Sequence, residues 1–285
     1  MTTASAAYSE VVETARGYYN STDAEAFYST IWGGEDIHIG LYDDEAGSIA
    51  IASRRSVERL MRHLEPLDQS SRVLDMGSGY GGTSRYLAST YGCRVVGLNL
   101  SEVENERARR LNTEQGLADR IDIVDGSFEA VDADSGSFDA VSSQDAFLHS
   151  GERRLVVSEA ARVLKPGGRF AFTDIMQADD CPDGVLDPIL NRIHLSSLGT
   201  PSFYSETAAA CDLDEIGFID LTPQLVNHYS RVLAATEARG AELRGKISDD
   251  YLQRMKQGLV HWVDGGEKGY LVWGIMTFRK RPVLA

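Results

Sequence analysis

The chain has 285 residues, 42% of them hydrophobic, which suits one α/β domain with additions and a sizeable buried core. Its 28 basic and 43 acidic residues give a net charge of -15, which argues against nucleic acid and anionic membranes as partners. A well-solvated surface and a high-salt or high-solute cytoplasm both account for such acidity. We therefore expect a protein whose partners are small molecules.

The first 65 residues are predicted to form a helical cover. Residues 6–20 and 48–64 carry apolar residues at helical spacing. Between them lies "FYSTIWGGEDIHIGLY", which is too irregular for a helix and too apolar for a free linker. We interpret residues 1–65 as an N-terminal lid.

From residue 72 onward, strand-like runs alternate with helices, a pattern typical of a parallel sheet with right-handed crossovers. The predicted strands cover 72–75, 94–98, 121–124, 138–142 and 169–174, and the predicted helices cover 81–91, 101–115 and 152–164. This pattern predicts a doubly wound sheet with residues 66–175 as its ligand-binding core. Ligands of such sheets lie beyond the carboxyl ends of the strands.

After residue 175 the alternation stops. Three of the seven prolines fall in "MQADDCPDGVLDPILNRIHLSSLGTPSFY", which predicts an insertion of loop and short helix. The remaining predicted elements are a helix near 204–216, a strand near 217–223, helices near 225–262 and the strand "YLVWGIMTFRK". Residues 176–285 would complete the sheet and cover the substrate side of one domain that spans 1–285.

The location of the protein is predicted from two features. The three cysteines are far apart and form no C-x-x-C pair, which disfavours a disulfide framework and a zinc site and fits a reducing cytosol. No run approaches the roughly 20 apolar residues of a membrane span, and acidic residues occupy the place of a signal peptide's apolar core. We expect a cytoplasmic protein, as a monomer or a weak homo-oligomer.

A glycine-rich turn follows the first predicted strand. In "VLDMGSGYGGTSRYL", Gly77, Gly79 and Gly82 satisfy the pattern G-x-G-x-x-G. Such a turn binds either a dinucleotide, for hydride transfer, or S-adenosylmethionine, for methyl transfer. By itself the pattern also fits a tight strand-to-helix turn without a ligand.

Neighbouring residues favour the methyl donor. Asp75 lies two residues before the first glycine, and "RVVGLNLS" ends its strand with Asn99, where a nicotinamide enzyme normally has an acidic residue for the ribose. Asp125 ends the third strand, and "RVLKPGGRFAFTD" supplies the following helix, turn and fifth strand. This ordered set resembles the class I S-adenosylmethionine-dependent methyltransferases, with their Rossmann-like sheet of seven strands. A nicotinamide-dependent oxidoreductase is the rival that Asn99 disfavours.

Three further stretches point to the methyl acceptor. "FYSTIWGGEDIHIGLY", "GLNLSEVEN" and "QDAFLHS" resemble the bacterial amine methyltransferases that make glycine betaine from sarcosine and dimethylglycine, over most of residues 15–230. The phosphoethanolamine methyltransferases are similar at a greater distance. They commonly have a tyrosine after the "TD" of the fifth strand, where this chain has Ile175, which disfavours a phosphobase. The resemblance implies a small-amine acceptor and no metal.

The resemblance also implies a donor site. Tyr19 and Tyr28 would belong to the lid that closes over the cofactor, and Asn99, which lacks a charge, would hold the ribose more loosely than an acid. The implied cofactor-binding residues are Tyr28, Ile37, His38, Asp75, Gly77, Gly79, Asn99, Leu100, Asp125, Gly126 and Gln144.

Asp145 and His149 match an aspartate and a histidine that lie beside the amine in the relatives. Only a neutral amine can attack the methyl group, and a free aliphatic amine has a pKa near 10, by analogy with lysine. His149 is therefore predicted to accept or relay the proton, with Asp145 orienting it or facing the ammonium. If this stretch is helical, the two side chains share a face. A histidine satisfied by the backbone is the alternative, and the Tyr19 hydroxyl competes with His149 as the catalytic group.

The acceptor's two charges predict two kinds of contact. Sulfonium and ammonium groups favour the faces of aromatic rings, and the candidate rings are Tyr19, Tyr28, Trp32, Phe147 and Tyr204. A carboxylate favours a cation, and "ILNRIHLSS" supplies Arg192 and His194. Core packing of the rings and a surface ion pair of the arginine are the alternatives.

The leading hypothesis is an N-methyltransferase that converts sarcosine and dimethylglycine to glycine betaine. Betaine is a compatible solute, which would agree with the acidic surface. The alternatives are a methyltransferase of another small amine or natural product, the nicotinamide-dependent oxidoreductase, and a non-catalytic protein that binds S-adenosylmethionine. The sequence leaves the number of methyl transfers open.

Overall fold

A seven-stranded sheet organises the computed structural model, which describes residues 8–43 and 47–282. The strands are β1 (Arg72–Met76), β2 (Arg94–Asn99), β3 (Ile121–Asp125), β4 (Phe138–Gln144), β5 (Leu164–Gln177), β6 (Leu213–Asp220) and β7 (Leu271–Lys280). Their order across the sheet is β3-β2-β1-β4-β5-β7-β6, and β7 runs antiparallel to both of its neighbours. The predicted α/β sheet is confirmed.

Helices cover both faces of the sheet. They are α1 (Glu10–Tyr19), α2 (Thr22–Ile31), α3 (Ile49–Met61), α4 (Gly82–Tyr91), α5 (Glu102–Glu114), α6 (Arg153–Val163), α7 (Asp187–Arg192), α8 (Pro201–Ala210), α9 (Thr222–Ala238), α10 (Gly240–Leu243) and α11 (Asp249–Glu267). Two short 3-10 helices cover Arg62–Leu64 and Phe147–His149. Within the described ranges, every helix is too short or too polar to span a lipid bilayer.

Serine side chains begin five of these helices. Ser9, Ser21, Ser48, Ser101 and Ser248 each accept a hydrogen bond from a backbone N–H in the first turn of α1, α2, α3, α5 and α11. Such caps satisfy N–H groups that have no partner inside the helix. The polar residues between the apolar runs thus determine where the helices begin.

The core lies on both faces of the sheet, because side chains alternate along a strand. In β5, Phe170 and Phe172 pack into one buried cluster, and Ala171 between them packs into the cluster on the other face. The pairing with β7 extends β5 at its carboxyl end to Gln177, beyond the predicted end at 174.

Two predicted elements were wrong, and the first helix is only partly described. The stretch that begins at Phe27 was predicted to be irregular, but α2 runs through it to Ile31. The helix predicted at 204–216 is α8, which begins earlier at Pro201, and β6 replaces its second half. Asp212, with φ of 57°, separates the two. Residues 6 and 7 of the first predicted helix lie outside the described residues.

The strand order places a crevice at the centre of the sheet. β1 pairs with β2 on one side and with β4 on the other, so the chain connections leave the carboxyl end of β1 in opposite directions. Open α/β sheets bind ligands at such a switch point. The glycine turn after β1 and the segment after β4 therefore meet at one edge of the sheet.

Candidate active site

The glycine turn packs closely against the segment after β4. Gly77, Gly79 and Gly81 have φ of 76°, 50° and 76°, in the left-handed region that side chains disfavour. A Cβ atom on Gly77 would lie 2.5 Å from the Cβ of Ala146. The turn therefore requires glycine both for its backbone conformation and for this close approach.

A small pocket of about 90 Å³, here called the inner pocket, opens beside this turn at the carboxyl ends of β1, β2 and β4. Most of the predicted cofactor residues line it: Ile37, His38, Gly77, Gly79, Asn99, Leu100, Gly126 and Gln144. The three predicted catalytic residues also line it: Tyr19, Asp145 and His149. The remaining three predicted cofactor residues, Tyr28, Asp75 and Asp125, do not line it.

Asp75 and Asp125 are both engaged within the protein. The buried Asp75 carboxylate accepts hydrogen bonds from Ser84 Oγ at 2.8 Å and Ser142 Oγ at 3.1 Å, and burial raises its pKa to about 6. It ties β1 to α4 beneath the glycine turn. The exposed Asp125 carboxylate accepts from Asn105 and Arg109. The structure therefore brings neither carboxylate to the lining of the inner pocket.

Glu104 supplies the acidic group that Asn99 lacks. It lies in the first turn of α5, lines the inner pocket and is buried, which raises the pKa of its carboxyl to about 7. Asn99 Nδ2 donates to Glu104 Oε2 at 3.0 Å and to Asn105 Oδ1 at 3.1 Å. Glu104 was not among the predicted site residues. An acid three residues after a helix-starting serine, here Ser101, is typical of a capping box, so its position indicated the start of a helix and not a ligand contact.

Gln144 offers an unpaired donor to the same pocket. Its Oε1 accepts from Thr83 Oγ1 at 2.9 Å, and its Nε2 is buried without a hydrogen-bond partner. His38 Nε2 lies 3.4 Å from the same Thr83 hydroxyl, and the His38 carbonyl accepts from Trp32 Nε1 at 3.2 Å. Because a buried N–H without a partner is costly, this amide fits a bound group with an acceptor oxygen.

A cavity of about 760 Å³, here called the outer cavity, adjoins the inner pocket. The two share Ala15, Tyr19, Ile37, Asp145 and His149 in their linings. Aromatic rings from four helices and a loop line the outer cavity: Tyr18, Tyr19, Tyr28, Trp32, Tyr229, Tyr251 and Trp262. Two of the predicted rings, Tyr19 and Tyr28, stack with centroids 6.2 Å apart.

Tyr19 and His149 form a hydrogen-bonded pair where the two spaces meet. The Tyr19 hydroxyl lies 2.9 Å from His149 Nε2. Burial raises the pKa of Tyr19 well above its usual value of 10. Burial, and secondly the charge of Arg192, lower the pKa of His149 to about 4. Both groups are therefore neutral near pH 7, and one proton is held between the oxygen and the nitrogen.

Asp145 is held by three donors. Its carboxylate accepts from Ile39 N at 2.8 Å, Thr173 Oγ1 at 2.8 Å and Trp273 Nε1 at 2.7 Å, and burial raises its pKa. Its φ of 51° takes the chain out of β4 into the 3-10 helix that carries His149. Asp145 and His149 therefore do not share an α-helical face. The partner that orients His149 Nε2 is the tyrosine.

Tyr204 and Phe147 lie in the core, away from the cavity. The fully buried Tyr204 hydroxyl donates to Asp174 Oδ2 at 2.7 Å, and Asp174 Oδ1 accepts from Leu148 N at 2.9 Å. Phe147 is also fully buried. Tyr204 thus supports the backbone next to His149 and does not face the cavity as a substrate contact would.

Arg192 and His194 both line the outer cavity. Arg192 ends α7, and among the described residues it forms no ion pair, while its Nε is buried without a hydrogen-bond partner. His194 is exposed at the rim, with φ of 56°. The cavity therefore holds an arginine whose charge is available to an anionic group.

Comparison with known proteins decides the family. The family model described as a methyltransferase domain matches residues 74–172. The sarcosine/dimethylglycine N-methyltransferase of Halorhodospira halochloris is 58% identical to this chain over 271 residues, which cover 95% of this chain and 97% of that protein. The chain belongs to the sarcosine/dimethylglycine N-methyltransferase family.

Two further relatives agree with this membership. The enzyme of the same name from Aphanothece halophytica is 50% identical over 95% of this chain and 98% of its own length. A provisionally assigned sarcosine dimethylglycine methyltransferase from Galdieria sulphuraria has a solved structure that matches with a TM-score of 0.88 and 40% identity, over 94% of this chain and all of that one.

Membership of the sarcosine/dimethylglycine N-methyltransferase family answers the question that the glycine turn left open. The protein is a class I methyltransferase that depends on S-adenosylmethionine, and the predicted enzyme class and methyl donor are confirmed. The left-handed glycines, the buried Glu104 carboxyl and the unpaired Gln144 amide offer polar contacts of the kind that the ribose and the amino-acid tail of this donor can make.

Proposed function

We propose that this protein methylates the nitrogen of sarcosine and dimethylglycine and so produces glycine betaine. The observation that carries the proposal is one cavity that combines the Tyr19–His149 pair, aromatic walls and an unpaired Arg192. A zwitterionic amine has an ammonium proton for the pair, a positive charge for the aromatic walls and a carboxylate for the arginine. The relatives at 58% and 50% identity are named for these two substrates.

The Tyr19–His149 pair would remove the proton that blocks the reaction. S-adenosylmethionine supplies the methyl group, whose bond to sulfur breaks as its bond to nitrogen forms. Because the pKa of His149 is about 4, the imidazole is unprotonated at neutral pH and can accept the ammonium proton, directly or through the Tyr19 hydroxyl. The tertiary ammonium group of protonated dimethylglycine carries one proton on nitrogen, and nitrogen can attack only after losing it, so this step precedes methyl transfer.

The walls of the outer cavity would hold the cations and exclude water. Tyrosine and tryptophan rings attract a positive charge to their faces. A dry cavity also aligns donor and nucleophile for in-line displacement. Arg192 would bind the acceptor's carboxylate at the side away from the reacting nitrogen.

The inner pocket would hold the donor. We assign the methionine part to the glycine turn and Gln144, and the ribose to Asn99 and Glu104. The three predicted parts of the chain would supply different parts of the site. Residues 1–65 supply Tyr19 and Tyr28 as a lid, 66–175 form the donor-binding core, and 176–285 supply Arg192 and the remaining walls. A cytoplasmic location suits three cysteines that are all free thiols.

Replacing Glu104 by glutamine should weaken donor binding about tenfold at pH 8, because a carboxylate accepts hydroxyl hydrogen bonds more strongly than an amide. The pKa of Glu104 is about 7, so its carboxylate is present above that value. The dissociation constant of the wild-type protein should therefore rise as the pH falls from 8 to 6. The curve for Glu104→Gln should be flatter. Isothermal titration calorimetry with S-adenosylmethionine measures both.

The matched control is Glu106→Gln, because Glu106 lies on the same helix and is exposed. It should bind the donor like the wild-type protein at every pH. Unchanged affinity in Glu104→Gln would remove Glu104 from the donor site.

A product assay tests the function itself. Purified protein with S-adenosylmethionine should form betaine from dimethylglycine, and dimethylglycine and betaine from sarcosine. Glycine and phosphoethanolamine should give no product. Methylated phosphoethanolamine would favour the phosphobase alternative, and donor binding without product from any of the four amines would overturn the substrate assignment.

A further inference from the structure

We propose that Gly258 is a specificity-determining residue. Because Gly258 has no side chain, the Arg192 guanidinium can lie between the Gly258 backbone and Trp262. This position of the guanidinium, here called the seat, selects amines that carry a carboxylate. The inference rests on the proposed function and deepens it, because it names the residue that decides which part of the acceptor is recognised.

The guanidinium lies directly against the Gly258 backbone. A Cβ atom on Gly258 would lie 2.6 Å from both Cζ and Nε of Arg192 and 2.8 Å from Nη1. These distances are shorter than any normal contact of a carbon atom. Arg192 comes from the end of α7, and Gly258 is buried in the middle of α11, so the seat joins two parts of the chain 66 residues apart.

The position of the glycine is informative because helices disfavour it. Gly258 lies inside a helix of 19 residues, where alanine would form the more stable helix. The three atoms nearest to a Cβ there all belong to the far end of a flexible arginine, which can move away at little cost to folding. Glycine at this position therefore serves the placement of Arg192 and not the stability of α11.

Trp262 forms the second wall of the seat. The Cζ atom of Arg192 lies 5.9 Å from the centre of the Trp262 ring, within the range of a cation–π contact. Trp262 is itself stacked on Tyr229, with centroids 5.8 Å apart and planes 19° apart. The guanidinium is thus positioned by a rigid aromatic face and a backbone surface, without an acidic partner among the described residues.

The seat lies in the same cavity as the reacting pair, because Arg192, Tyr19 and His149 all line the outer cavity. The charge of Arg192 adds to the burial that lowers the pKa of His149, and it partly offsets the burial that raises the pKa of Tyr19. A planar guanidinium binds a carboxylate through two parallel hydrogen bonds. The chemical class that fits is a secondary or tertiary amine with a carboxylate on the adjacent carbon.

Gly258→Ala should raise the KM for dimethylglycine about tenfold, because the added methyl group moves the guanidinium. The KM for N,N-dimethylglycinamide, which has an uncharged amide in place of the carboxylate, should stay within about twofold of wild type. The thermal midpoint should not fall, because alanine favours the helix. Steady-state kinetics with both acceptors and a thermal melt provide these values.

Two further variants sharpen the experiment. Gly240→Ala is the matched control, because Gly240 begins α10 and a Cβ atom there meets nothing within 4 Å. It should match wild type with both acceptors. Arg192→Leu should raise the KM for dimethylglycine at least as much as Gly258→Ala, and adding Gly258→Ala to it should cause no further rise, because both changes remove one contact.

The possible failures are distinguishable. If the wild-type protein makes no betaine from dimethylglycine, the proposed function fails and the inference fails with it. If the wild type is active and Gly258→Ala leaves the KM for dimethylglycine unchanged, the inference alone fails. Equal rises for dimethylglycine and its amide, or additive effects of the two substitutions, would also overturn it, because the seat would then not act through the carboxylate.

Discussion

Replacing His149 by glutamine should lower kcat with dimethylglycine about 100-fold at pH 7.5, because glutamine keeps a polar group beside Tyr19 but cannot take a proton. General bases contribute on the order of 10²- to 10⁴-fold. The pKa of His149 is about 4, so the imidazole itself does not titrate between pH 6 and 10. The deficit should therefore shrink as the pH approaches the amine pKa of about 10, where the acceptor loses its proton to solvent. A betaine assay over this range measures the effect.

Two controls accompany this experiment: the affinity of the variant for the methyl donor, and the activity of a variant at a second histidine. His149→Gln should bind S-adenosylmethionine with a dissociation constant near that of wild type. His63→Gln should leave kcat unchanged, because His63 lies on the 3-10 helix Arg62–Leu64, where its Nδ1 pairs with Thr277 at 3.1 Å, and it lines neither space of the site. Tyr19→Phe should lower kcat by a smaller factor, since the histidine remains. A His149→Gln enzyme with wild-type kcat and pH profile would assign proton removal to another group.

The sheet and the donor loop were predictable because their signals are local in sequence. An apolar run followed by Gly77 and Gly79 determines both a strand end and a left-handed turn, within a few residues. Predicted and observed ends of β1 to β4 agree to within two residues. The start of α2 had a local signal too, since Ser21 caps it and Asp23 lies in its first turn. The dense aromatic residues obscured its helical spacing.

The partners within the site were not predictable, because they are distant in sequence. Tyr19 and His149 were each predicted as catalytic, but their hydrogen bond joins residues 130 apart. The contact of Arg192 with Gly258 leaves no pattern in either segment. Tyr204 illustrates the opposite error. Its ring suggested a cation contact, but its hydroxyl satisfies the buried Asp174, an interaction across 30 residues. Residue types predicted the chemistry, and only packing determined which of them meet.

Asp145→Asn should lower kcat/KM for dimethylglycine about 100-fold and also lower the thermal midpoint. The Asp145 carboxylate accepts from three donors, on Ile39, Thr173 and Trp273, whereas an asparagine offers one acceptor oxygen and turns an NH₂ group toward the others. Leaving a buried donor unpaired costs about 1–3 kcal/mol. The substitution also removes a negative charge where the inner pocket meets the outer cavity, beside the cationic groups of donor and acceptor.

The pH dependence separates the electrostatic role of Asp145 from its structural role. Burial raises the pKa of Asp145, so the wild-type carboxyl gains a proton at a higher pH than an exposed aspartate and then resembles asparagine in charge. The ratio of wild-type to variant kcat/KM should therefore shrink as the pH falls. Trp273→Phe is the matched comparison, because it removes one donor and keeps the carboxylate; it should lower the thermal midpoint with a smaller loss of kcat/KM. If Asp145→Asn lowered only the midpoint, and its kcat/KM stayed at the wild-type value, the carboxylate would be a structural anchor for the segment that carries His149.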